Sequence, residues 1–245
     1  MSMENAIKTE GLTKKYKEKT AVNNLSIEIP AGKLVALLGV NGAGKTTTIR
    51  MLSCLSKPTG GRALIFGHDV EKEPDEVKKL VGISTQDTAV AENLTVRENL
   101  EFMAGIYLEK EKIGTAVKRT IEAFGLHEYE NTRSKHLSGG WKRKLSIAMA
   151  IIGEPKVLFL DEPTLGLDVL ARRELWREIE SLKKDMSIVL TTHYMEEAEA
   201  LADRIYIMIN GSLAAEGTLG ELEDMTGKKG LENVFVHIAE NGNQR

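Results

Sequence analysis

Gly39-Val40-Asn41-Gly42-Ala43-Gly44-Lys45-Thr46 matches the spacing G-x-x-x-x-G-K-[ST], whose chemistry is the holding of phosphate. Its glycines let the backbone curl so that several N–H groups face an anion, and the helix that follows adds its positive dipole end. Lys45 is placed to reach the β- and γ-phosphates of a nucleoside triphosphate, and the Thr46 hydroxyl to ligate Mg²⁺. Gly39, Asn41, Gly42, Ala43, Gly44, Lys45, Thr46 and Thr47 are therefore the expected nucleotide contacts. A second group closes the apolar run Val157-Leu158-Phe159-Leu160 with Asp161 and Glu162. In a parallel sheet such a strand delivers its last residues to the carboxyl edge, where ligands bind. There Asp161 would hold Mg²⁺ through its water shell, while Glu162 would orient and deprotonate an attacking water. Alone, two acids at a strand end pair with a lysine as readily as they catalyse; beside a phosphate cradle the catalytic reading is favoured. His193, three residues past Ile188-Val189-Leu190, reaches the same edge.

Those groups need elements that bring strand ends together, and the apolar pattern supplies them. Leu34 to Leu38 reads as a buried strand running into the cradle, and a helix follows from about Lys45 to Leu55. Upstream, Leu25, Ile27 and Ile29 alternate with polar residues before a Pro30-Ala31-Gly32 turn. Downstream, Lys57 to Gly61 breaks the helix ahead of a short strand, Arg62 to Phe66. Residues 88–153 differ. Val96, Leu100, Met103 and Tyr107 fall at helical spacing, as do Ile113, Val117, Ile121 and Phe124, and then Trp141, Leu145, Ala148 and Ile152. After the strand at 157–160 come a helix carrying Leu175, Ile179 and Leu182, a strand from Ser187 to Leu190, and a short helix around Met195 to Leu201. Arg204–Ile209 and Ser212–Ala215 form a hairpin turning at Asn210-Gly211. Strands alternating with helices predict an α/β fold with a mainly parallel sheet. The expected organisation is one domain, with 1–87 and 154–217 as core, 88–153 as a helical subdomain and 218–245 as a polar C-terminal tail.

The chain has 245 residues, 42% hydrophobic, 28% charged and 5% aromatic, with a formal net charge of -3. That composition excludes wholesale disorder. Apolar runs such as Leu34–Leu38 fall far short of the roughly 20 residues of a membrane helix. The polar start shows no signal-peptide pattern. The single cysteine, Cys54, cannot form an internal disulfide, which fits a reducing cytosol; beside Met51, Leu52 and Leu55 it reads as a small core residue. Near-neutral charge with few aromatics gives no support for nucleic acid as a partner.

Leu137-Ser138-Gly139-Gly140 lies between the cradle and the acidic strand end. With these motifs and His193 in this order, the chain resembles ABC-type ATPases from Leu12 to about Thr218. Thr191-Thr192-His193-Tyr194-Met195-Glu196-Glu197-Ala198-Glu199 looks most like the nucleotide-binding subunits of bacterial exporters for sodium, antibiotics or polysaccharides. The resemblance implies a P-loop NTPase core with a mainly parallel sheet, an antiparallel β subdomain and a helical insert. It implies that Tyr16 stacks on adenine and that Gln86 touches Mg²⁺ or the attacking water, so that Thr46, Gln86 and Asp161 form the metal set. It makes Ser138, Gly139 and Gly140 a phosphate-binding cap for the nucleotide of an opposing subunit, although Ser138 also suits an ordinary helix N-cap. Gly166-Leu167-Asp168 corresponds to the loop that crosses to that subunit, and His193 to the residue contacting the γ-phosphate, so Glu162 and His193 form the catalytic pair. Val40 stands where proline is frequent, Leu165 where serine is frequent, and Trp141 where glutamine or a smaller residue is usual. Lys142-Arg143-Lys144 reads as a solvated helix face.

The implied function is that of an ATP-binding, ATP-hydrolysing transporter subunit with ATP and Mg²⁺ as cofactors. It would dimerise around two ATP with a second copy of itself or a homologous ATPase subunit. It would then drive export through a separate integral membrane subunit, from the inner face of the cell membrane. The alternatives are an importer ATPase, for which the short tail lacks the regulatory domain many sugar importers carry, and a soluble regulatory or scaffolding ATPase. Relatives of the latter kind carry paired cassettes or long coiled-coil insertions, neither of which is present. A P-loop kinase or GTPase is disfavoured: the signature with the Glu162–His193 set argues against a kinase, and no Asn-Lys-x-Asp run occurs.

Overall fold

The computed structural model describes residues 4–242. In chain order the strands are β1 (Asn5–Tyr16), β2 (Lys19–Leu25), β3 (Glu28–Pro30), β4 (Leu34–Leu38), β5 (Gly60–Ile65), β6 (His68–Asp69), β7 (Val81–Ser84), β8 (Val157–Asp161), β9 (Ser187–Thr192), β10 (Arg204–Ile209) and β11 (Ser212–Gly217). The helices are α1 (Lys45–Leu52), α2 (Pro74–Leu80), α3 (Val96–Tyr107), α4 (Lys110–Ala123), α5 (Gly139–Ile151), α6 (Val169–Leu182), α7 (Met195–Leu201), α8 (Leu219–Thr226) and α9 (Leu231–Gly242).

The central sheet runs β11-β10-β4-β9-β8-β7, and every pairing in it is parallel except the β10–β11 hairpin. Every residue of β4, β8 and β9 is buried, as expected of strands covered on both faces. The two-residue period divides them: Leu34, Ala36, Leu38, Leu158, Leu160, Ile188 and Leu190 enter one core, while Val35, Leu37, Val157, Phe159 and Val189 enter the other. A second, antiparallel sheet (β2-β1-β5-β6, with β3 on β1) covers the latter side. Pairing aligns Leu38 with Thr192 and Asp161 with Thr191, so β4, β9 and β8 end side by side at the carboxyl edge.

Between β7 and β8 the chain carries α3, α4 and α5. Thr95 starts α3 with a capping box: its hydroxyl accepts from Glu98 N, and the Glu98 carboxylate accepts from Thr95 N.

The structure departs from the sequence expectations in several places. Helix α1 stops at Leu52, and Cys54 sits just beyond it at φ 60, its thiol 3.4 Å from the Val70 carbonyl. Burial pushes that thiol up, away from a reactive thiolate. The N-terminal strands are longer than the Leu25–Ile29 alternation indicates, because β-bulges in β1 break its two-residue period. The element at α2 and β7 was not visible as a helix and strand, being only seven and four residues long. Finally, 218–242 is not a plain polar tail. Leu222, Leu231 and Val234 are fully buried in the larger core, and Glu199 Oε1 accepts the Leu231 N–H at 2.6 Å. The apolar spacing Leu231, Val234, Phe235, Ile238 is helical, and that periodicity was the available signal.

Candidate functional site

The phosphate cradle is forced into its shape from behind. Gly44 has φ +101, and a Cβ there would lie 2.5 Å from the Ala21 carbonyl oxygen of β2. Gly39 is pressed equally, since a Cβ would come within 2.5 Å of the Met208 carbonyl oxygen on β10. Gly211 N, from the β10–β11 turn, donates to Ala43 O at 3.1 Å. Lys45 begins α1 almost fully buried, and its ammonium donates to Gly39 O at 2.7 Å and Val40 O at 3.4 Å. The resulting cavity, about 430 Å³, is lined by Tyr16, Lys19, Ala21, residues 41–47, Gln86 and Glu162. Tyr16, at the end of β1, is 46% exposed, with Lys14 Nζ 5.0 Å from its ring centroid. Its expected partner adenine would find a π face there; Lys19 and Ala21 line the same wall and were not singled out from sequence.

The acidic strand end closes the other side. Glu162 follows β8 at φ 49, a left-handed conformation that is uncommon outside glycine. Its N–H donates to both Thr191 O and Thr191 Oγ1 at 3.1 Å, which stabilises the turn. The turn aims a 6%-exposed carboxylate at two cationic or polarisable groups: Oε1 is 3.3 Å from Lys45 Nζ, and Oε2 is 2.8 Å from His193 Nδ1. His193 follows β9 directly, because that strand runs to Thr192 rather than Leu190. Asp161 Oδ1 accepts from Thr46 Oγ1 at 3.0 Å and from Thr191 Oγ1 at 2.5 Å. A hydroxyl and one carboxylate converging beside a phosphate cradle suit Mg²⁺, which typically keeps several waters and takes few protein ligands. No group of three or more His, Cys, Asp and Glu side chains able to hold a metal occurs among the described residues.

The remaining candidates lie apart from this cavity. Ser138 is the N-cap of α5; its hydroxyl accepts from Trp141 N at a long 3.5 Å. Gly139 shares a smaller cavity, about 250 Å³, with Gln86, Asp87, Arg143 and Leu165–Leu167. Asp168 caps α6, Oδ1 accepting from Leu170 N at 2.9 Å and Ala171 N at 3.0 Å. Trp141 turns inward, its ring centroid 4.5 Å from that of Tyr129 and 4.7 Å from Lys144 Nζ.

The basic run beside it is not a solvated face. Arg143 is 4% exposed, Lys142 pairs with Glu92 at 3.1 Å, and Lys144 pairs with Glu178 at 2.6 Å. The physical reason is that α5 is packed on both sides, against β7 and β8 and against α3. A further group escaped the sequence reading. Glu197 on α7 is completely buried, and Trp176 Nε1 donates to its Oε1 at 3.1 Å. Burial pushes its carboxyl upward, opposed by the nearby Thr192 and Thr164 hydroxyls and the Trp176 indole. Its Oε2 and the Thr164 hydroxyl nevertheless complete no hydrogen bond among the described residues.

The ABC transporter family model matches residues 22–165. The chain belongs to that family. Within it, the chain is 42% identical over 228 residues to the daunorubicin/doxorubicin resistance ATP-binding protein DrrA of Streptomyces peucetius, covering 92% of this chain and 69% of DrrA. It is 43% identical over 217 residues to the phospholipid-transporting ATPase ABCA3 of Homo sapiens, covering 86% of this chain but only 13% of that much longer protein. A solved dimeric post-hydrolysis state of the ATP-binding cassette MJ0796, bound to ADP and Pi, superposes with a TM-score of 0.78. Its identity is 26%, and the match covers 87% of this chain and 98% of the other. The α/β fold with its P-loop NTPase core is thus that of an ABC ATPase, and the chain is an ATP-binding, ATP-hydrolysing subunit of a transporter.

Proposed function

We propose that this ABC ATPase works as one half of a dimer that closes around two Mg²⁺-bound ATP molecules and drives export through a separate membrane subunit. The observation that carries the reading is the split within the chain. The cradle and Glu162 share one cavity, with His193 hydrogen-bonded to Glu162, while Ser138–Gly140 lie at a helix start outside it. Donors at that helix start suit a phosphate brought by another chain.

In this reading Tyr16 stacks on adenine, and residues 39–47 hold the phosphates. Lys45 exchanges the Glu162 carboxylate and the loop carbonyls for phosphate oxygens. Thr46, Asp161 and Gln86 would hold Mg²⁺, which offsets charge on the phosphates. Glu162, relieved of Lys45, accepts the proton of the attacking water, and His193 keeps that carboxylate oriented while its ring contacts the γ-phosphate. Phosphoryl transfer depends on placing charge rather than on covalent catalysis. A site completed by a second chain therefore hydrolyses only when closed, with Asp168 in the loop that crosses to the partner.

Similarity to DrrA, a resistance ATP-binding protein, favours outward transport. In this proposal the chain docks on a separate membrane subunit from the cytoplasmic face; no described helix is long and apolar enough to cross a membrane.

Glu162→Gln tests the reading. Phosphate release should fall by about 10²–10⁴-fold, the usual worth of a general base, while light scattering should show an ATP-dependent dimer. Unchanged turnover removes Glu162 as the base; a variant that stays monomeric at saturating ATP removes the two-chain site.

A further inference from the structure

Arg143 is a buried guanidinium with no carboxylate within ion-pair distance among the described residues. Its two terminal nitrogens instead grip consecutive backbone carbonyls. Nη1 donates to Thr85 O at 2.7 Å and Nη2 to Gln86 O at 2.6 Å, just past the end of β7. A planar guanidinium presents its donors as a rigid fork and can hold two acceptors in fixed relation; an ammonium is a compact point charge. Burial works against the charge of Arg143, and Asp161, Asp87 and Glu197 offset it.

The two ends of this contact belong to different parts of the site. Arg143 lies about one helical turn inside α5, whose N-cap is Ser138, so the two move as one rigid piece. Gln86 is held by its backbone alone. Its side-chain amide has no hydrogen-bond partner among the described residues, and Gln86 lines both the cradle cavity and the smaller cavity beside Gly139.

We infer that Arg143 is a positioning residue whose guanidinium fork transmits the orientation of α5 to the Gln86 backbone, so that the cradle receives its glutamine only when the Ser138 helix is correctly set. This rests on the reading of Gln86 as a contact to Mg²⁺ or the attacking water. One chain thereby links the segment it offers to a partner's nucleotide with the residue it applies to its own.

The test is a double-mutant cycle of Arg143→Met and Gln86→Ala, with Arg143→Lys as the conservative variant, read as kcat and KM for Mg·ATP. Arg143→Met should lower kcat by about tenfold or more, the scale of effect that sub-ångström to 1 Å misplacement produces, with KM changed less than about threefold. Arg143→Lys should recover little of that loss. In the Gln86→Ala background, Arg143→Met should change kcat by less than about twofold, since the two act as a unit. Amide hydrogen exchange supplies a readout that does not depend on Arg143→Met folding: in Arg143→Lys, residues 85–90 should exchange faster while the rest of the chain is unchanged. Full recovery by lysine, multiplicative effects in the cycle, or unaltered exchange at 85–90 each overturns the role of Arg143. Wild-type turnover in Gln86→Ala overturns the reading of Gln86. Impaired Gln86→Ala beside normal Arg143→Met overturns the Arg143 proposal alone.

Discussion

Two loops in this chain contain paired glycines and open onto helices, and they are built on opposite terms. In the cradle, glycine is demanded from within: Gly44 adopts a left-handed φ of +101, and β-carbons at Gly39 and Gly44 would strike carbonyl oxygens 2.5 Å away. At the start of α5, nothing within the chain demands it. A Cβ on Gly139 would meet nothing within 4 Å, and one on Gly140 only side-chain atoms at 3.9 Å. Neither has a positive φ, and glycine near a helix start lowers helix stability relative to alanine. The cradle's charges are likewise satisfied internally, with Lys45 on Glu162 and Thr46 on Asp161, whereas Ser138 and Gly139 are exposed. The contrast teaches that a residue with no internal reason to be small is best explained by what lies outside the chain. That supports the proposed two-chain site.

The largest expected effect is at Gly44→Ala. Forcing a Cβ into that backbone should lower the unfolding free energy by about 1–3 kcal/mol and abolish nucleotide binding, as read by urea denaturation and ATP titration. Wild-type stability would break the contrast. Gly139→Ala sharpens it from the other side. Its unfolding free energy should stay level or rise by up to about 1 kcal/mol, and ATP binding by the isolated chain should persist. Hydrolysis at concentrations that favour the dimer should nevertheless fall by about tenfold, equivalent to about 1.4 kcal/mol of barrier. Undiminished hydrolysis would mean that this glycine serves nothing beyond its own chain.

The smallest effect concerns buried charge behind the cradle. Glu197 has its carboxyl raised above 4.5 by burial, so its favourable contribution is complete below that pH and is lost as pH climbs through the raised folded value. Glu197→Gln should remove that loss. Urea midpoints compared at about pH 5 and about pH 8 should decline less in the variant than in the wild type. Equal declines would show that this carboxyl carries no such penalty.

Much of the site was legible because its chemistry is written in short, contiguous runs. Leu34–Thr46 and Val157–Glu162 each combine an apolar strand with the polar residues it delivers, so period and motif agree over a few positions. The helical segments at 96–151 were legible for a similar reason, their apolar residues recurring at helical spacing. Arg143 and Glu197 were not legible. A basic residue in a Lys-Arg-Lys run and an acid in a Glu-rich helix have the local pattern of solvated faces; what buries them is distant in sequence, the Thr85–Gln86 carbonyls and Trp176 respectively.

From residue types and spacing alone follow the phosphate cradle, the acidic strand end, the α/β class and the resemblance to ABC-type ATPases, because each depends on local backbone geometry or on a fixed order of motifs. Tertiary structure decided which charges meet: that Glu162 lies between Lys45 and His193, that Asp161 shares an oxygen with Thr46 and Thr191, and that Arg143 holds the Gln86 loop. Those contacts join residues 30 to 117 positions apart, and no local periodicity encodes which strand ends stand next to one another.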